Sequence, residues 1–140
     1  MADRKPFSVS LVTPDGAAYE GDAEMLIVPG AAGEIGVLAR HAPLIATLKA
    51  GSTRVHISSS EVIEYATGPG FFQVLQDRAI ALVDAAVKAD EIDDAQAREQ
   101  LAAAQAELEA IERGESTADR WQVEQRIRHA ENQLSVVGRS

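Results

Sequence analysis

The chain of 140 residues has no cysteine, few aromatic residues and no long apolar run. Without cysteine it can form neither disulfides nor thiolate metal sites. No apolar stretch approaches the roughly 20 residues that span a bilayer as a helix, and the amino-terminal MADRKPFSVS lacks the apolar core of a signal peptide. We therefore expect no direct membrane insertion, so that any membrane association goes through another protein.

Basic residues are also scarce. The chain has 13 lysines and arginines against 22 aspartates and glutamates, which gives a formal net charge of -9. This surplus of negative charge repels phosphate backbones and anionic lipid headgroups. The composition therefore predicts no binding to nucleic acid or to a bare membrane surface.

Motifs that carry catalysis or bind metals are missing as well. The three histidines, His41, His56 and His129, are far apart and lack metal-ligand spacing. We expect each to be a surface or structural histidine, and His56 to be exposed, because it lies on the polar side of its strand. Neither GxSxG nor HExxH occurs. The sequence predicts no catalytic residue, no metal and no cofactor.

Two segments admit a ligand-binding interpretation beside a structural one. Gly30–Gly36 is glycine-rich and could cradle a phosphate, but it lacks the Gly-Lys-Ser/Thr of that motif, which favours a tight loop between strands. The acidic run 90–94 could suggest calcium, but it lacks the spaced pattern and glycine of an EF-hand. Its charge instead suits the positive end of a helix dipole, and we expect a helix to start there.

Residues 1–87 read as short strands separated by turns. Phe7, Val9 and Leu11 alternate with serines, which is the period of a half-buried strand, and 25–28 is a continuous apolar run. Thr13-Pro14-Asp15-Gly16 has the composition of a tight turn. Many short strands with turn signals between them predict an all-β sandwich.

Residues 88–140 have a different composition, which predicts an antiparallel α-helical hairpin. Between Asp90 and Val137 there is no proline and only one glycine, Gly114. Apolar residues recur at helical spacing on both sides of Gly114, with Ser116 as the candidate cap of the second helix. They are Ala97, Leu101, Ala104, Leu108 and Ile111, then Val123, Ile127, Ala130, Leu134 and Val137. This seam is thin, so we expect the hairpin to depend on the sandwich or on a partner.

Side chains of the hairpin suggest contacts with other proteins. Trp121, the only tryptophan, lies just off the seam; packing is the favoured role and a partner-facing anchor is the alternative. The region 90–112 has one arginine against eight acidic residues, whereas the second helix carries Arg120, Arg126 and Arg128. These arginines are either solvated or available to an acidic partner surface.

Much of the chain resembles the epsilon subunit of the bacterial-type rotary ATP synthases. The resemblance covers nearly the whole length, and the segment from Gly33 to Leu44 is its most specific part. The matching segments are Phe7 to Thr13, Tyr19-Glu20-Gly21, Pro29-Gly30-x-x-Gly33-Glu34-Ile35-Gly36-Val37-Leu38-x-x-His41-Ala42-Pro43-Leu44, Lys49-x-Gly51, Gly68-x-x-x-Phe72-x-Val74, and Asn132-x-Leu134-Ser135-Val136.

The resemblance implies a non-catalytic subunit of the central stalk, which turns with the rotor and couples proton flow to ATP synthesis. In that family the sandwich bridges the gamma subunit and the c-ring, as a peripheral part of the complex on the cytoplasmic face of the cell inner membrane. Contact with the c-ring is implied for Gly33, Glu34, Ile35 and Gly36. Contact with gamma is implied for Thr13, His41, Ala42 and Pro43.

The resemblance also implies that the hairpin either folds against the sandwich or extends toward the catalytic beta subunits, where it inhibits ATP hydrolysis. Some members bind ATP through Ile/Leu-Asp-x-x-Arg-Ala at the first helix. Here Ile92 and Asp93 match, but Gln96 replaces the arginine, so we expect no nucleotide binding. Because few basic side chains remain, we expect Arg120, Arg126 and Arg128 to carry only weak inhibition.

Two other functions are compatible with the residues. One is a free-standing sandwich adaptor that binds a peptide or a sugar, and the other is an enzyme with its site around Gly30–His41. The enzyme would need a carboxylate near His41, and the only one in that segment is Glu34. A stalk subunit would co-purify with a gamma-like partner, whereas an adaptor could exist as a free monomer.

Overall fold

A computed structural model describes residues 4–138. The chain divides into two compact units, the first ending at Ala89 and the second beginning at Asp90. The first unit contains ten strands, and the second contains two helices. The strands are β1 Phe7–Thr13, β2 Gly16–Ala23, β3 Met25–Gly30, β4 Gly33–Val37, β5 Leu44–Leu48, β6 Gly51–His56, β7 Val62–Thr67, β8 Gly70–Leu75, β9 Arg78–Val83 and β10 Ala86–Lys88.

The strands follow the order β10-β7-β6-β3-β5-β8-β9-β1-β2, and β4 pairs with β3. All pairings are antiparallel except that of β1 with β9, which is parallel. The Tyr65 hydroxyl on β7 donates a hydrogen bond to the carbonyl of Ala18 on β2, at 3.3 Å. Strands far apart in the sheet order therefore meet across the fold, and the predicted β-sandwich followed by a helical hairpin is confirmed.

The core of the sandwich is built from side chains of alternate strand residues. Phe7, Val9 and Leu11 are buried as their alternation predicts. Their buried neighbours come from both halves of the sheet and form one apolar cluster. These include Leu26, Val28, Val37, Leu48, Val55, Tyr65, Phe72, Val74, Ala79, Ala81 and Val83.

The second unit is a pair of helices, α1 Asp94–Glu112 and α2 Arg120–Val137, which pack against each other. Asp93 caps α1, because its carboxylate accepts a hydrogen bond from the backbone N–H of Gln96 at 3.1 Å. The acidic run therefore begins a helix as expected, after a short 3₁₀ turn at Ala89–Glu91.

Gly114 ends α1 in the predicted way. Its φ of +75° is the left-handed conformation that favours glycine. The N–H of Gly114 bonds to the carbonyl of Ile111, and the N–H of Glu115 bonds to that of Ala110, which together form a Schellman motif. Both orphan carbonyls are thereby satisfied.

Two details of the hairpin differ from the prediction. Ser116 does not cap α2; Asp119 does, accepting from the N–H of Trp121 at 2.9 Å, while the Ser116 hydroxyl donates to Glu107 at 2.7 Å. The seam residue near the end of α2 is Val136, which is buried, in place of Val137. A serine three residues before a cap-competent aspartate makes the choice ambiguous in sequence, because either oxygen can accept a helix-start N–H.

Candidate docking surfaces

The segment predicted to meet the c-ring is the outer strand of a tight hairpin. The prediction of a loop over Gly30–Gly36 is wrong in part, because only Ala31 and Ala32 form the turn, while Gly33–Val37 is strand β4. Among the described strands, β4 pairs only with β3, so its other edge is open. Added side-chain atoms at Gly30 would lie 2.6 Å from the carbonyl oxygen of Gly33, which explains a glycine where the strands turn.

Glu34 lies on this open strand and forms an ion pair. Its Oε2 accepts from Nη2 of Arg54 on β6 at 2.8 Å, and its side chain keeps 54% of its exposure. Register explains the pairing: Arg54 is opposite Ile27 on β3, and Glu34 is opposite Pro29, so all four side chains share the outer face of the sheet. A partly exposed carboxylate is thus available beside the β3–β4 turn.

His56, two residues further along β6, is not the exposed histidine that its strand position predicts. Its Nε2 is buried and has no hydrogen-bond partner among the described residues. Burial, followed by the charges of Arg54 and Arg4, lowers the pKa of His56 below its usual 6.5. Alternation alone did not reveal this, because one of the two cations, Arg4, comes from a distant part of the chain.

The lowered pKa of His56 gives the fold an acid sensitivity. The unfolded chain takes up a proton on His56 near pH 6.5, whereas the folded chain takes it up only at lower pH. The free energy of unfolding is therefore expected to fall as the pH drops below about 6.5. Urea unfolding at pH 7.5 and 5.5 checks this, with His56→Gln losing less stability than the unaltered chain. Equal losses in both proteins would show that His56 is not responsible.

The predicted gamma-contact segment His41–Pro43 is held by a neighbouring turn. The backbone N–H of Arg40, which has a φ of 65°, donates to a carboxylate oxygen of Asp77 at 2.5 Å. Asp77 and Gln76 both have positive φ and form the two-residue turn between β8 and β9. His41 Nδ1 donates to the carbonyl of Ala42 at 2.7 Å, which fixes the ring beside the segment.

Thr13 is the last residue of β1, beside the end of β9 that is opposite to this turn. Its hydroxyl donates to the carbonyl of Gly16 at 3.0 Å and accepts from the N–H of Asp15, closing the β1–β2 turn. Val12 is paired with Leu82 near the end of β9, whereas Leu44, next to Pro43, is paired with Val74 near the end of β8. The two predicted gamma-contact positions are therefore separated by the length of these strands.

Four exposed apolar side chains lie on the sheet face between Thr13 and His41. This surface, here called the outer apolar face, consists of Ile45, Phe71, Leu75 and Leu82, with exposures of 78, 62, 46 and 52%. Phe71 is paired with Thr47 and Leu82, so the four side chains share one side of β5, β8 and β9. Local patterns did not predict this face, although the adjacent Phe71 and Phe72 were a signal, since two neighbours on a strand point to opposite sides.

The three arginines of α2 differ in their ion pairing, and the tryptophan at its start is exposed. Arg120 pairs with Glu112 at 3.2 Å and Glu124 at 3.5 Å, whereas Arg126 and Arg128 are exposed and form no ion pair within residues 4–138. The favoured packing role of Trp121 is wrong, because this side chain is 66% exposed.

The degenerate nucleotide motif lies at the start of α1. Asp93 serves as the helix cap, Gln96 supplies the N–H that it accepts, and Ile92 is half-buried. Within the part of the chain that the structure describes, no cluster of acidic or histidine side chains could hold a metal. Neither of the described helices has both the length and the apolar character of a membrane span.

Comparisons with known proteins agree with this architecture. Residues 6–89 match the family model of the ATP synthase delta/epsilon chain β-sandwich domain. The chain is 35% identical to the ATP synthase epsilon chain of Thermosynechococcus vestitus over 94% of both chains. It is 37% identical to that of Halalkalibacterium halodurans, over 94% of this chain and 96% of the relative.

Solved structures show a similar fold. A chain in the cryo-EM structure of the Euglena gracilis mitochondrial ATP synthase, OSCP/F1/c-ring in rotational state 1, superposes with a TM-score of 0.78 at 21% identity, covering 98% of this chain and 84% of that one. The sandwich and its family model define a delta/epsilon-type subunit of an ATP synthase. Given the close relatives over nearly its full length, the chain belongs to the family of ATP synthase epsilon chains.

Proposed function

We propose that the chain is a non-catalytic rotor subunit that couples proton translocation to ATP synthesis by bridging the gamma subunit and the c-ring. The observation that carries this proposal is the presence of two separate surfaces on one sandwich, the outer apolar face and the open β4 strand with Glu34. In this role the chain is a peripheral component of the ATP synthase on the cytoplasmic face of the cell inner membrane.

The gamma subunit is the partner proposed for the outer apolar face. Exposed apolar side chains gathered on one sheet face are typical of a surface that another protein covers. Thr13 lies at one end of this face and His41, Ala42 and Pro43 lie at the other. These positions, nominated separately by the family resemblance, would frame a single contact along β5, β8 and β9.

The c-ring is the partner proposed for the β4 strand. Gly33, Ile35 and Gly36 flank Glu34, and a side-chain atom added at Gly33 or Gly36 would meet nothing within 4 Å. The backbone is therefore open to close approach, and the carboxylate of Glu34 can accept hydrogen bonds from polar loops. Such a polar contact would hold the sandwich on the c-ring as the rotor turns.

The helical hairpin is proposed to meet the catalytic beta subunits through Arg126 and Arg128, the two arginines of α2 without ion pairs in the described chain. Replacing both with alanine is expected to raise ATP hydrolysis by the assembled enzyme by about twofold, because exposed ion pairs contribute little. Arg98→Ala is the control, since Arg98 pairs with Asp94 within α1. Unchanged hydrolysis in the double variant would assign any inhibition to other contacts.

The proposed function is tested by separating the two units. A fragment of residues 1–89 contains all ten strands and both proposed surfaces, so it is expected to fold and to bind an ATP synthase lacking this subunit. Its half-saturating concentration for restoring ATP-driven proton pumping should lie within about threefold of that of the full chain. The reason is that the fragment lacks only the hairpin, whose proposed contacts with the beta subunits are weak. A folded fragment that fails to restore pumping would contradict the bridging role of the sandwich.

A further inference from the structure

Arg54 lies between two carboxylates and pairs with the more distant one. Glu64 on β7 is its direct cross-strand partner, and such opposite charges normally pair. Arg54 instead reaches across β3 and donates to Glu34 on β4, at 2.8 Å. Arg54 therefore pairs with Glu34 and not with Glu64, the carboxylate directly opposite it.

Glu64 has a different partner, Ser52. Its hydroxyl, on a residue that is 4% exposed, donates to Oε2 of Glu64 at 2.5 Å. Glu64 therefore hydrogen-bonds to a residue on the same strand as Arg54, while the guanidinium of Arg54 donates to Glu34.

Stability alone does not explain the ion pair. It is formed by a single Nη2–Oε2 bond between partly exposed side chains, and solvent weakens such contacts. The Nε of Arg54 is buried without a partner among the described residues, which opposes the pairing. A pair that adds little to stability but fixes one carboxylate has the properties expected of an orienting contact.

We propose that Arg54 is a positioning residue for Glu34 at the surface that meets the c-ring. Holding Oε2 fixes the direction of the carboxylate and leaves Oε1 free to accept from a polar donor of the c-ring loops. This inference rests on the proposed function, and Arg54 itself touches no partner in this scheme.

A double-mutant cycle tests the inference. Glu34→Gln, Arg54→Gln and the double variant, as full-length chains, are titrated into an ATP synthase depleted of this subunit, with ATP-driven proton pumping as the readout. We expect half-saturating concentrations to rise about tenfold for Glu34→Gln and about fivefold for Arg54→Gln. The double variant should resemble Glu34→Gln alone, because Arg54 acts through Glu34.

Other results would overturn the inference in distinguishable ways. Multiplying effects, about fiftyfold in the double variant, would show that Arg54 acts independently of Glu34. If Arg54→Gln left the half-saturating concentration unchanged while Glu34→Gln raised it, the positioning role would be rejected and the proposed c-ring surface would stand. If Glu34→Gln left the half-saturating concentration unchanged, both that surface and the inference would be rejected.

Controls separate positioning from folding. Glu64→Gln removes the carboxylate directly opposite Arg54 and is expected to leave the half-saturating concentration unchanged. Melting temperatures of all variants are measured in the isolated chain. If Arg54→Gln does not fold, Arg54→Met takes its place in the cycle, because it keeps an unbranched side chain but has no donor for Glu34. Full activity of a folded Arg54→Met would overturn the orienting role.

Discussion

Replacing Phe71 with glutamate is expected to weaken the binding of this chain to the gamma subunit by about a hundredfold or more. Phe71 is 62% exposed on β8, the middle strand of the outer apolar face, with Leu82 directly opposite it. If gamma covers this face, the substitution buries an unpaired carboxylate, which costs about 3–5 kcal/mol. A titration of the purified gamma subunit with the variant, followed calorimetrically, measures the loss.

The matched control is Val62→Glu. Val62 is also an exposed apolar strand residue, at 47%, but it lies on β7, outside the outer apolar face. Both variants exchange an exposed apolar side chain for the same charge, so a general effect of added negative charge would appear in both. Binding by Phe71→Glu equal to that of Val62→Glu would remove the outer apolar face from the gamma contact.

Local patterns predicted the elements of this fold well. The alternation of Phe7, Val9 and Leu11 depends only on the geometry of one strand, and Gly114 ends a helix through its own backbone freedom. Both features are encoded within a few residues. The division into strands and helices could therefore be seen in the sequence, and so could the family through the segment from Gly33 to Leu44.

Features that depend on pairing between strands were not predictable in the same way. Phe71 and Phe72 are equally apolar, and only the register of β8 with its neighbours decides which of them is buried. The partner of Glu34 is 20 residues away, across an intervening strand. The lowered pKa of His56 likewise involves a cation from the amino-terminal segment, Arg4, beside Arg54. No local pattern specifies such contacts.

The two proposed surfaces are coupled through strand register. Gly30, at the end of β3, is paired with Leu48 on β5, and Leu48 is paired with Gly70 on β8. Strand β8 carries Phe71 and Leu75 of the outer apolar face. The hairpin that holds Glu34 is therefore connected by backbone pairing to the strands proposed to bind gamma, as a rigid bridge between two partners requires.

Gly70 is the position in this bridge where a substitution is expected to be most damaging. A Cβ at Gly70 would lie 1.8 Å from the carbonyl oxygen of Leu82 and 2.8 Å from the Cα of Val83. Both atoms belong to the backbone of β9, which cannot move aside without breaking its pairing. Gly70→Ala is therefore expected to lower the free energy of unfolding by at least about 3 kcal/mol, as measured by urea denaturation.

Gly36→Ala is the control for stability, because it adds the same methyl group to a strand glycine where nothing lies within 4 Å. That variant should be neutral or slightly stabilising, since alanine restricts the unfolded chain more than glycine does. A Gly70→Ala protein as stable as Gly36→Ala would mean that β8 and β9 can separate without cost. Strands that separate so easily could not transmit a rigid connection from the β3–β4 hairpin to the outer apolar face.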